Sequence, residues 1–144
     1  MSDPFVVLYA EDEETDVLLM RLALKRSGLP CVLMAVSDGA EAIDYLSGNG
    51  DFADRARHPL PCLVLLDLKM PRKTGFEVLS WMRQQEQFAR LPVIIYTSSG
   101  GEDDRERARA LGATEYTVKK ADVGDMAEWL RGVIHYCEPE PAQA

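Results

Sequence analysis

The sequence has no excess of positive charge, no long hydrophobic stretch and little histidine. Its 144 residues include 16 Lys and Arg against 24 Asp and Glu, for a formal net charge of −8. A surface that binds nucleic acid needs clustered Lys and Arg, so this balance argues against a nucleic-acid partner. The apolar run at 5–10 is too short for a signal-peptide core, and no run approaches the ~20 apolar residues of a membrane span. We therefore expect a cytoplasmic protein that does not contact a membrane.

Cysteine is also scarce, and its three copies form no recognisable framework. Cys31, Cys62 and Cys137 are odd in number, and none has the spacing to Cys or His that a metal site shows. Cys31 and Cys62 lie in apolar runs. We interpret all three as small reduced core residues rather than as a disulfide framework.

The length fits one domain, with no repeat or low-complexity segment to suggest a second one. We expect this domain to span 1–138. Pro139 and Pro141 follow the last predicted helix, and we expect residues 139–144 to form a disordered tail.

The central stretch is 62–71, CLVLLDLKMP, in which five apolar residues precede an acidic one. Pro59 and Pro61 bound it upstream, and the unbroken apolar run predicts a strand buried on both faces. Open α/β sheets place their chemistry at the carboxyl ends of such strands, which is where Asp67 stands. A lone Asp there could equally cap a turn.

The remaining elements alternate along the chain. Glycines, prolines and helical periodicity predict helices at about 14–27, 39–47, 75–87, 102–111 and 126–137. Strands are predicted at 5–10, 31–36, 62–66, 93–97 and 114–118. Five strands that alternate with five helices indicate a doubly wound α/β fold with a parallel sheet. The helix at 102–111 is charged and nearly free of large apolar residues, so we expect it to be weakly attached.

Polar residues follow four of these strands. Glu11 and Asp12 come after the first strand and Asp67 after the third, while Thr97 ends the fourth and Lys119 follows the fifth. Three carboxylates at one edge repel each other unless a cation joins them, and Mg²⁺ suits such oxygen ligands. Lys119 and the Thr97 hydroxyl suit the oxygens of a transferred phosphoryl group, for which an Asp carboxylate is a competent acceptor.

These residues, in this order, resemble the receiver domain of two-component response regulators. The match covers nearly the whole chain and includes Met70, Pro71, Gly75 and Tyr116. The resemblance implies a flavodoxin-like (βα)5 fold with strand order 2-1-3-4-5, for which a receiver is the standard example. It also implies a signalling domain that catalyses only its own phosphorylation and dephosphorylation.

The resemblance assigns a role to each site residue. Asp67 would accept phosphate from a sensor histidine kinase. Asp12, Asp67 and the carbonyl group of Lys69 would hold Mg²⁺, with Glu11 acting on the ion through water. Thr97 and Lys119 would bind the phosphoryl group, and Tyr116 would act as the switch residue that reports the state of the site.

Within the family, the chain resembles small single-domain regulators that are paired with bacterial phytochrome kinases. The long connection at 47–61, the Asp67–Pro71 run and the lack of an output domain carry this resemblance. One departure is Lys120, which stands where the family usually has proline after its lysine. A cis bond before a non-proline residue costs ~2.5–4 kcal/mol. We therefore expect either a trans Lys119–Lys120 bond with a displaced loop or a cis bond held by strain, and we favour trans.

Two other functions remain open at this point. A phosphatase with an aspartyl-phosphate intermediate would need a second Asp two residues after the first, where this chain has Lys69. A binding module that signals without phosphate would not need the intact acidic set.

A final expectation concerns self-association. The helix at 102–111 carries charges of both signs, so a surface within 102–138 could pair with its own copy across a two-fold axis. Tyr116 and Tyr136 are the apolar candidates for such a homodimer. A solvated surface on a monomer is the alternative.

Overall fold

The computed structural model describes residues 4–138. Its strands are β1 (Phe5–Ala10), β2 (Cys31–Val36), β3 (Leu63–Leu66), β4 (Val93–Thr97) and β5 (Glu115–Val118). Its α-helices are α1 (Glu14–Ser27), α2 (Gly39–Ser47), α3 (Gly75–Gln84), α4 (Glu102–Ala110) and α5 (Val123–Val133). Three short 3-10 helices complete the described chain, at Gly50–Phe52, Glu86–Phe88 and Ile134–Cys137.

The five strands form one parallel sheet in the order β2-β1-β3-β4-β5. The predicted flavodoxin-like topology is therefore confirmed. Ala10 pairs with Leu66, and the Asp67 N–H donates to the Ala10 carbonyl oxygen at 3.1 Å. This register places the residues that follow β1 beside those that follow β3.

Two hydrophobic cores lie on the two faces of the sheet. Val64 and Leu66 pack with α2 and α3, whereas Leu63 and Leu65 pack with α1 and α5. All four side chains of β3 are fully buried. The unbroken apolar run thus fills both cores, as its sequence predicts.

Several helices end earlier than predicted. The α3 helix stops at Gln84, because Gln85 is extended at φ −95° and ψ 123°, and a 3-10 turn follows it. The last helix is α-helical only to Val133 and then tightens into a 3-10 turn that reaches Cys137. Tight 3-10 turns at helix ends satisfy carbonyl groups that an α-helix would leave unpaired.

The interpretation of the cysteines is wrong for two of the three. Cys62 and Cys137 form a disulfide across 75 residues of sequence, with their Cα atoms 5.0 Å apart, while Cys31 is a free thiol. The fold brings them together because the end of the last helix lies beside the start of β3, at the amino end of that strand. Sequence spacing alone gave no sign of that meeting.

The long connection after α2 is organised by a single arginine. The Arg55 guanidinium donates to the carbonyl oxygens of Tyr45 and Leu46 at the end of α2, at 2.7 and 2.8 Å, and to that of His58. The Tyr45 hydroxyl donates to the Pro59 carbonyl oxygen at 2.8 Å. A cation at a helix carboxyl end also favours the helix dipole.

The predicted tail at 139–144 lies outside the described residues. Among helices of residues 4–138, none has both the length and the apolar character for a membrane crossing.

Candidate functional site

Three carboxylates meet where β1 and β3 end. Oxygen atoms of Glu11, Asp12 and Asp67 all lie within 4.8 Å of one another. Glu11 and Asp67 are buried, with 2% and 6% of their surfaces exposed, whereas Asp12 is exposed. The sequence predicted this cluster, and the pairing of β1 with β3 produces it.

The Lys119 side chain reaches into this cluster from the end of β5. Its ammonium nitrogen lies 2.6 Å from Glu11 Oε1 and 3.1 Å from Asp67 Oδ2. It also lies 2.7 Å from Asp16 Oδ2, in the first turn of α1. Because the Lys119 side chain is only 15% exposed, its charge is poorly screened from these carboxylates.

The two buried carboxyl groups differ in acidity. Burial raises the pKa of Glu11 to about 7 despite the opposing hydrogen bond from Lys119, and the nearby Asp67 adds to the rise. Burial also acts to raise the pKa of Asp67, but hydrogen bonds with Glu11 and Thr97 and the charge of Lys119 bring it below its ordinary value. The arrangement therefore keeps Asp67 as a carboxylate at neutral pH, the form that can act as a nucleophile.

Thr97 is the last residue of β4 and is fully buried. Its carbonyl oxygen accepts a 2.8 Å hydrogen bond from the Lys119 N–H, which ties the ends of β4 and β5 together. Its hydroxyl oxygen accepts a 3.4 Å hydrogen bond from the Ser99 N–H. The structure thus places Thr97 beside the acidic cluster, as predicted.

Tyr116 of β5 connects the start of α4 to the end of β4. Its hydroxyl donates to the Ser99 carbonyl oxygen at 2.8 Å, and the Arg105 guanidinium lies over its ring at 4.7 Å. The Ser99 hydroxyl donates to Asp104 of α4 at 2.6 Å. Polar contacts therefore attach α4 to the strand that carries Thr97, while Ala108 is its buried side chain.

The loop between β3 and α3 lies close to Asp67. The Lys69 N–H donates to Asp67 Oδ1 at 3.4 Å. A Cβ atom at Gly75 would lie 2.3 Å from the Asp67 carbonyl oxygen, so only glycine permits α3 to begin this close to the strand. Thr74 and Glu77 form a capping box that starts the helix there.

The same loop is fixed to the start of α2 by an ion pair that the sequence did not reveal. Arg72 has the left-handed φ of 66°, and its guanidinium donates two hydrogen bonds to Asp38, at 2.8 and 3.0 Å. Asp38 also caps α2 by accepting from the Glu41 N–H at 2.7 Å. This carboxylate therefore joins two loops at the edge of the sheet that holds the site.

The peptide bond before Lys120 has the predicted configuration. Within residues 4–138 no peptide bond is cis, so the Lys119–Lys120 bond is trans, as expected. The Lys120 N–H donates to the hydroxyl oxygen of Tyr96 at 3.0 Å. Tyr96 was not among the predicted site residues.

Two further residues contact the cluster without having been predicted. The Tyr9 hydroxyl donates to Glu11 Oε1 at 3.3 Å, and Asp16 pairs with Lys119. Asp16 lies in the first turn of α1, where acidic residues are common because they favour the helix dipole, so the sequence gave no sign of its contact with Lys119. A phenol in a buried strand needs a polar partner, which was the available signal for Tyr9.

The donor set at this edge fits a hard divalent cation. Its oxygen atoms come from three carboxylates, one of which is exposed and can be reached from solvent. Mg²⁺ prefers such ligands and retains several waters. The Lys119 ammonium group already balances part of the negative charge, so a cation here would share Asp67 with it.

Residues 7–131 match the response regulator receiver domain. The chain belongs to this family. Receiver domains are signalling domains, and the resemblance read from the sequence is thereby confirmed.

Several relatives are close in both sequence and structure. The response regulator Rcp1 of Synechocystis is 34% identical over 137 residues, which cover 92% of this chain and 91% of Rcp1. Its Mn²⁺-bound crystal structure superposes with a TM-score of 0.80 at 32% identity, over 98% of this chain and 100% of the other. RPA3017, a response regulator in red light signalling of R. palustris, superposes with a TM-score of 0.87 at 36% identity, over 96% of each chain.

A third relative is known in its phosphorylated form. This cyanobacterial phytochrome response regulator, RcpA, superposes with a TM-score of 0.83 at 29% identity, over 96% of this chain and 97% of the other. This chain is therefore a receiver that resembles the regulators associated with phytochromes.

Proposed function

We propose that Asp67 is the phosphoacceptor of a two-component signalling pathway and that a sensor histidine kinase is its phosphodonor. A carboxylate oxygen of Asp67 attacks the phosphorus atom of a phosphohistidine. A P–O bond forms, the P–N bond breaks, and the imidazole leaves and takes up a proton. The observation that carries this proposal is the Asp67 carboxylate, held ionised at the end of β3 with Lys119 at 3.1 Å.

The proposed metal is Mg²⁺. Asp12, Asp67 and the carbonyl group of Lys69 would hold it, and Glu11 would contact it through water. When bound, it would neutralise charge on the phosphoryl oxygens, which is the main requirement of phosphoryl transfer. The three clustered carboxylates support this assignment.

Lys119 and Thr97 are the proposed ligands of the transferred phosphoryl group. The Lys119 ammonium group already points at Asp67, so it needs no large movement to meet a phosphoryl oxygen. If Thr97 is drawn toward that oxygen, Tyr116 can follow into the vacated space. Tyr116 bonds the Ser99 carbonyl oxygen and contacts Arg105, so its movement would shift the start of α4.

The kinase partner is proposed to be a bacterial phytochrome. Support comes from RcpA, a cyanobacterial phytochrome response regulator, and from RPA3017, a response regulator in red light signalling. A histidine kinase draws its phosphoryl group from ATP, so the proposal also places this receiver in the cytoplasm. No nucleic-acid partner is proposed, in line with the net charge of −8.

The test is incubation with acetyl phosphate and Mg²⁺, followed by intact mass measurement. Wild type should gain one phosphoryl group, and Asp67→Asn should gain none. Asp16→Asn is the matched control, because Asp16 contacts Lys119 from α1 but is not a proposed acceptor. Phosphorylation of Asp67→Asn at the wild-type yield would overturn the proposal.

We further propose a homodimer through the surface formed by residues 102–138. A groove of about 320 Å³ between α4 and β5 is lined by both acidic and basic side chains, including Glu102, Arg105, Glu106 and Arg109. Such a surface is complementary to its own copy across a two-fold axis. Tyr136 contributes less than its sequence position suggested, because it is partly buried and its hydroxyl donates to Glu115.

Light scattering of the two phosphorylation states tests this assembly. A dimer mass in either state, lost in Arg109→Glu, supports the interface. A monomer mass in both states at tens of micromolar would overturn it.

A further inference from the structure

The segment between β5 and α5 crosses the edge of the sheet beside the acidic cluster. It begins after Val118, the last residue of β5, and ends at Asp122, which caps α5 by accepting from the Asp125 N–H at 2.8 Å. Lys119 stands at its start, with its N–H bonded to the Thr97 carbonyl oxygen. The position of the Lys119 ammonium group therefore depends on how this short segment is held.

Tyr96 holds the segment at its middle. The Lys120 N–H donates to the Tyr96 hydroxyl oxygen at 3.0 Å, so both ends of the Lys119 residue are fixed by backbone N–H bonds. A proline at position 120 would have no N–H to donate. Because the chain has Lys120 rather than proline at this position, a backbone N–H is available to bond the Tyr96 hydroxyl oxygen.

The Tyr96 ring itself cannot move easily. Its side chain is fully buried and stacks on Trp129 of α5, with ring centroids 4.8 Å apart and planes inclined by 30°. It also packs against Tyr9 in an edge-to-face arrangement, with ring centroids 6.2 Å apart, and the Tyr9 hydroxyl donates to Glu11. Close-packed aromatic rings of this kind keep a hydroxyl group at a fixed point.

We propose that Tyr96 is a positioning residue for Lys119. By fixing the Lys119–Lys120 peptide, Tyr96 keeps the Lys119 ammonium group beside Asp67. Asp16 attracts the same ammonium group, from a distance of 2.7 Å. Without this anchor the peptide relaxes and the ammonium group settles away from Asp67. This inference rests on the proposed function, in which Lys119 binds the phosphoryl group. A displacement of the ammonium group by about 1 Å is enough to weaken its contact with a phosphoryl oxygen strongly.

The test measures two ligands of the same site by calorimetry. Mg²⁺ alone reports on the carboxylates, and beryllium fluoride added with Mg²⁺ reports on the groups that bind phosphoryl oxygens. In Tyr96→Phe we expect the affinity for beryllium fluoride to fall about tenfold, since a tenfold change corresponds to the loss of one well-placed polar contact. The affinity for Mg²⁺ should stay the same or increase, because Lys119 no longer competes for Asp67.

Two control variants separate positioning from general loosening. Tyr45→Phe removes the hydroxyl of another buried tyrosine, bonded to the Pro59 carbonyl oxygen rather than near the site. Lys120→Ala removes the exposed side chain but keeps the N–H group. Both should bind both ligands as wild type does. Unchanged affinity for beryllium fluoride in Tyr96→Phe overturns the inference, as does an equal loss of Mg²⁺ affinity.

Amide exchange by NMR tests the anchor independently of phosphoryl binding. The Lys120 N–H should exchange about tenfold faster in Tyr96→Phe, and equal exchange rates would overturn the inference. If wild type binds Mg²⁺ but not beryllium fluoride, the proposed function fails, while the exchange measurement still decides the role of Tyr96.

Discussion

The ammonium nitrogen of Lys119 lies 3.1 Å from a carboxylate oxygen of Asp67, although 52 residues separate them in the chain. The same nitrogen lies 2.6 Å from Glu11, whose side chain is fully buried. One cation thus holds two buried carboxyl groups together. Removing one partner of a buried ionic group leaves the others without compensation.

Replacement of Lys119 by methionine should therefore destabilise the protein while leaving its fold intact. We expect Lys119→Met to lower the free energy of unfolding by about 3 kcal/mol at neutral pH, measured by urea unfolding. Added Mg²⁺ should restore more stability to this variant than to wild type. Lys120→Met is the control on an exposed neighbour, and an equal stability of Lys119→Met and wild type would contradict the prediction.

Binding of Mg²⁺ should be weak and should depend on Asp12. Asp12 offers a carboxylate at the exposed side of the cluster, and Mg²⁺ keeps several waters when protein ligands are few. Calorimetric titration of Asp12→Ala should show little or no binding. Glu13→Ala serves as the control, because only its backbone N–H contacts Glu11. Wild-type affinity in Asp12→Ala would remove Asp12 from the metal site.

The ion pair between Asp38 and Arg72 should contribute stability that disappears in acid. Burial alone would raise the pKa of Asp38, but hydrogen bonds from Arg72 and from the Glu41 N–H hold it below its ordinary value. A lowered pKa means that the contribution is present above the unfolded value of about 4 and is lost as the pH falls through the folded value.

The variant Asp38→Asn can keep the helix cap but loses the ion pair. Its melting temperature should lie below that of wild type at neutral pH, and the two should converge below about pH 4. A difference that stays constant down to about pH 2 would show that charge is not its source.

Arg83 of α3 should contribute strongly to stability, because it bonds the segments that follow α3 and α4. Its guanidinium donates to the carbonyl oxygens of Gly112, Phe88 and Leu91, at 3.0, 3.0 and 2.7 Å. We expect Arg83→Ala to lower the free energy of unfolding by about 2–3 kcal/mol, because three carbonyl oxygens lose a charged donor, and two of these hydrogen bonds are partly buried. Arg131→Ala on the exposed face of α5 is the control, and equal losses in the two variants would contradict this role.

Phosphorylation should alter amide exchange in residues 98–111. Polar contacts of Tyr116, Ser99 and Asp104 hold α4 to β4, so a modest change at Thr97 can bias the position of this helix. Exchange in this segment should differ between the two states, whereas exchange in β3 should not. Identical patterns in both states would exclude a switch through α4.

The fold and most of the site could be predicted from local sequence. The apolar runs at 5–10 and 62–66 specify buried strands, and parallel strands end at one edge of the sheet. That geometry was enough to gather Glu11, Asp12, Asp67 and Lys119, because each follows directly on a strand. Residues that approach the acidic cluster from other parts of the chain do not follow a strand, so the sequence gave no sign of their position.

Pairs that form only when distant segments pack together were missed. Tyr96 bonds Lys120 across 24 residues, and Asp16 meets Lys119 across 103. The bond between Cys62 and Cys137 was missed for the same reason. Such contacts depend on which side chains face each other across the assembled layers, which periodicity does not encode.

The disulfide between Cys62 and Cys137 also changes how the domain bears mechanical load. A pull on the carboxyl end of the chain is transmitted directly to the start of β3, which has a hydrogen-bonded strand on either side. The tension bypasses the closed ring between the two cysteines, so α4 and β5 stay unloaded. Once a cellular thiol has reduced the bond, the same force acts first on the last helix. That helix then separates from the sheet before the force reaches β3.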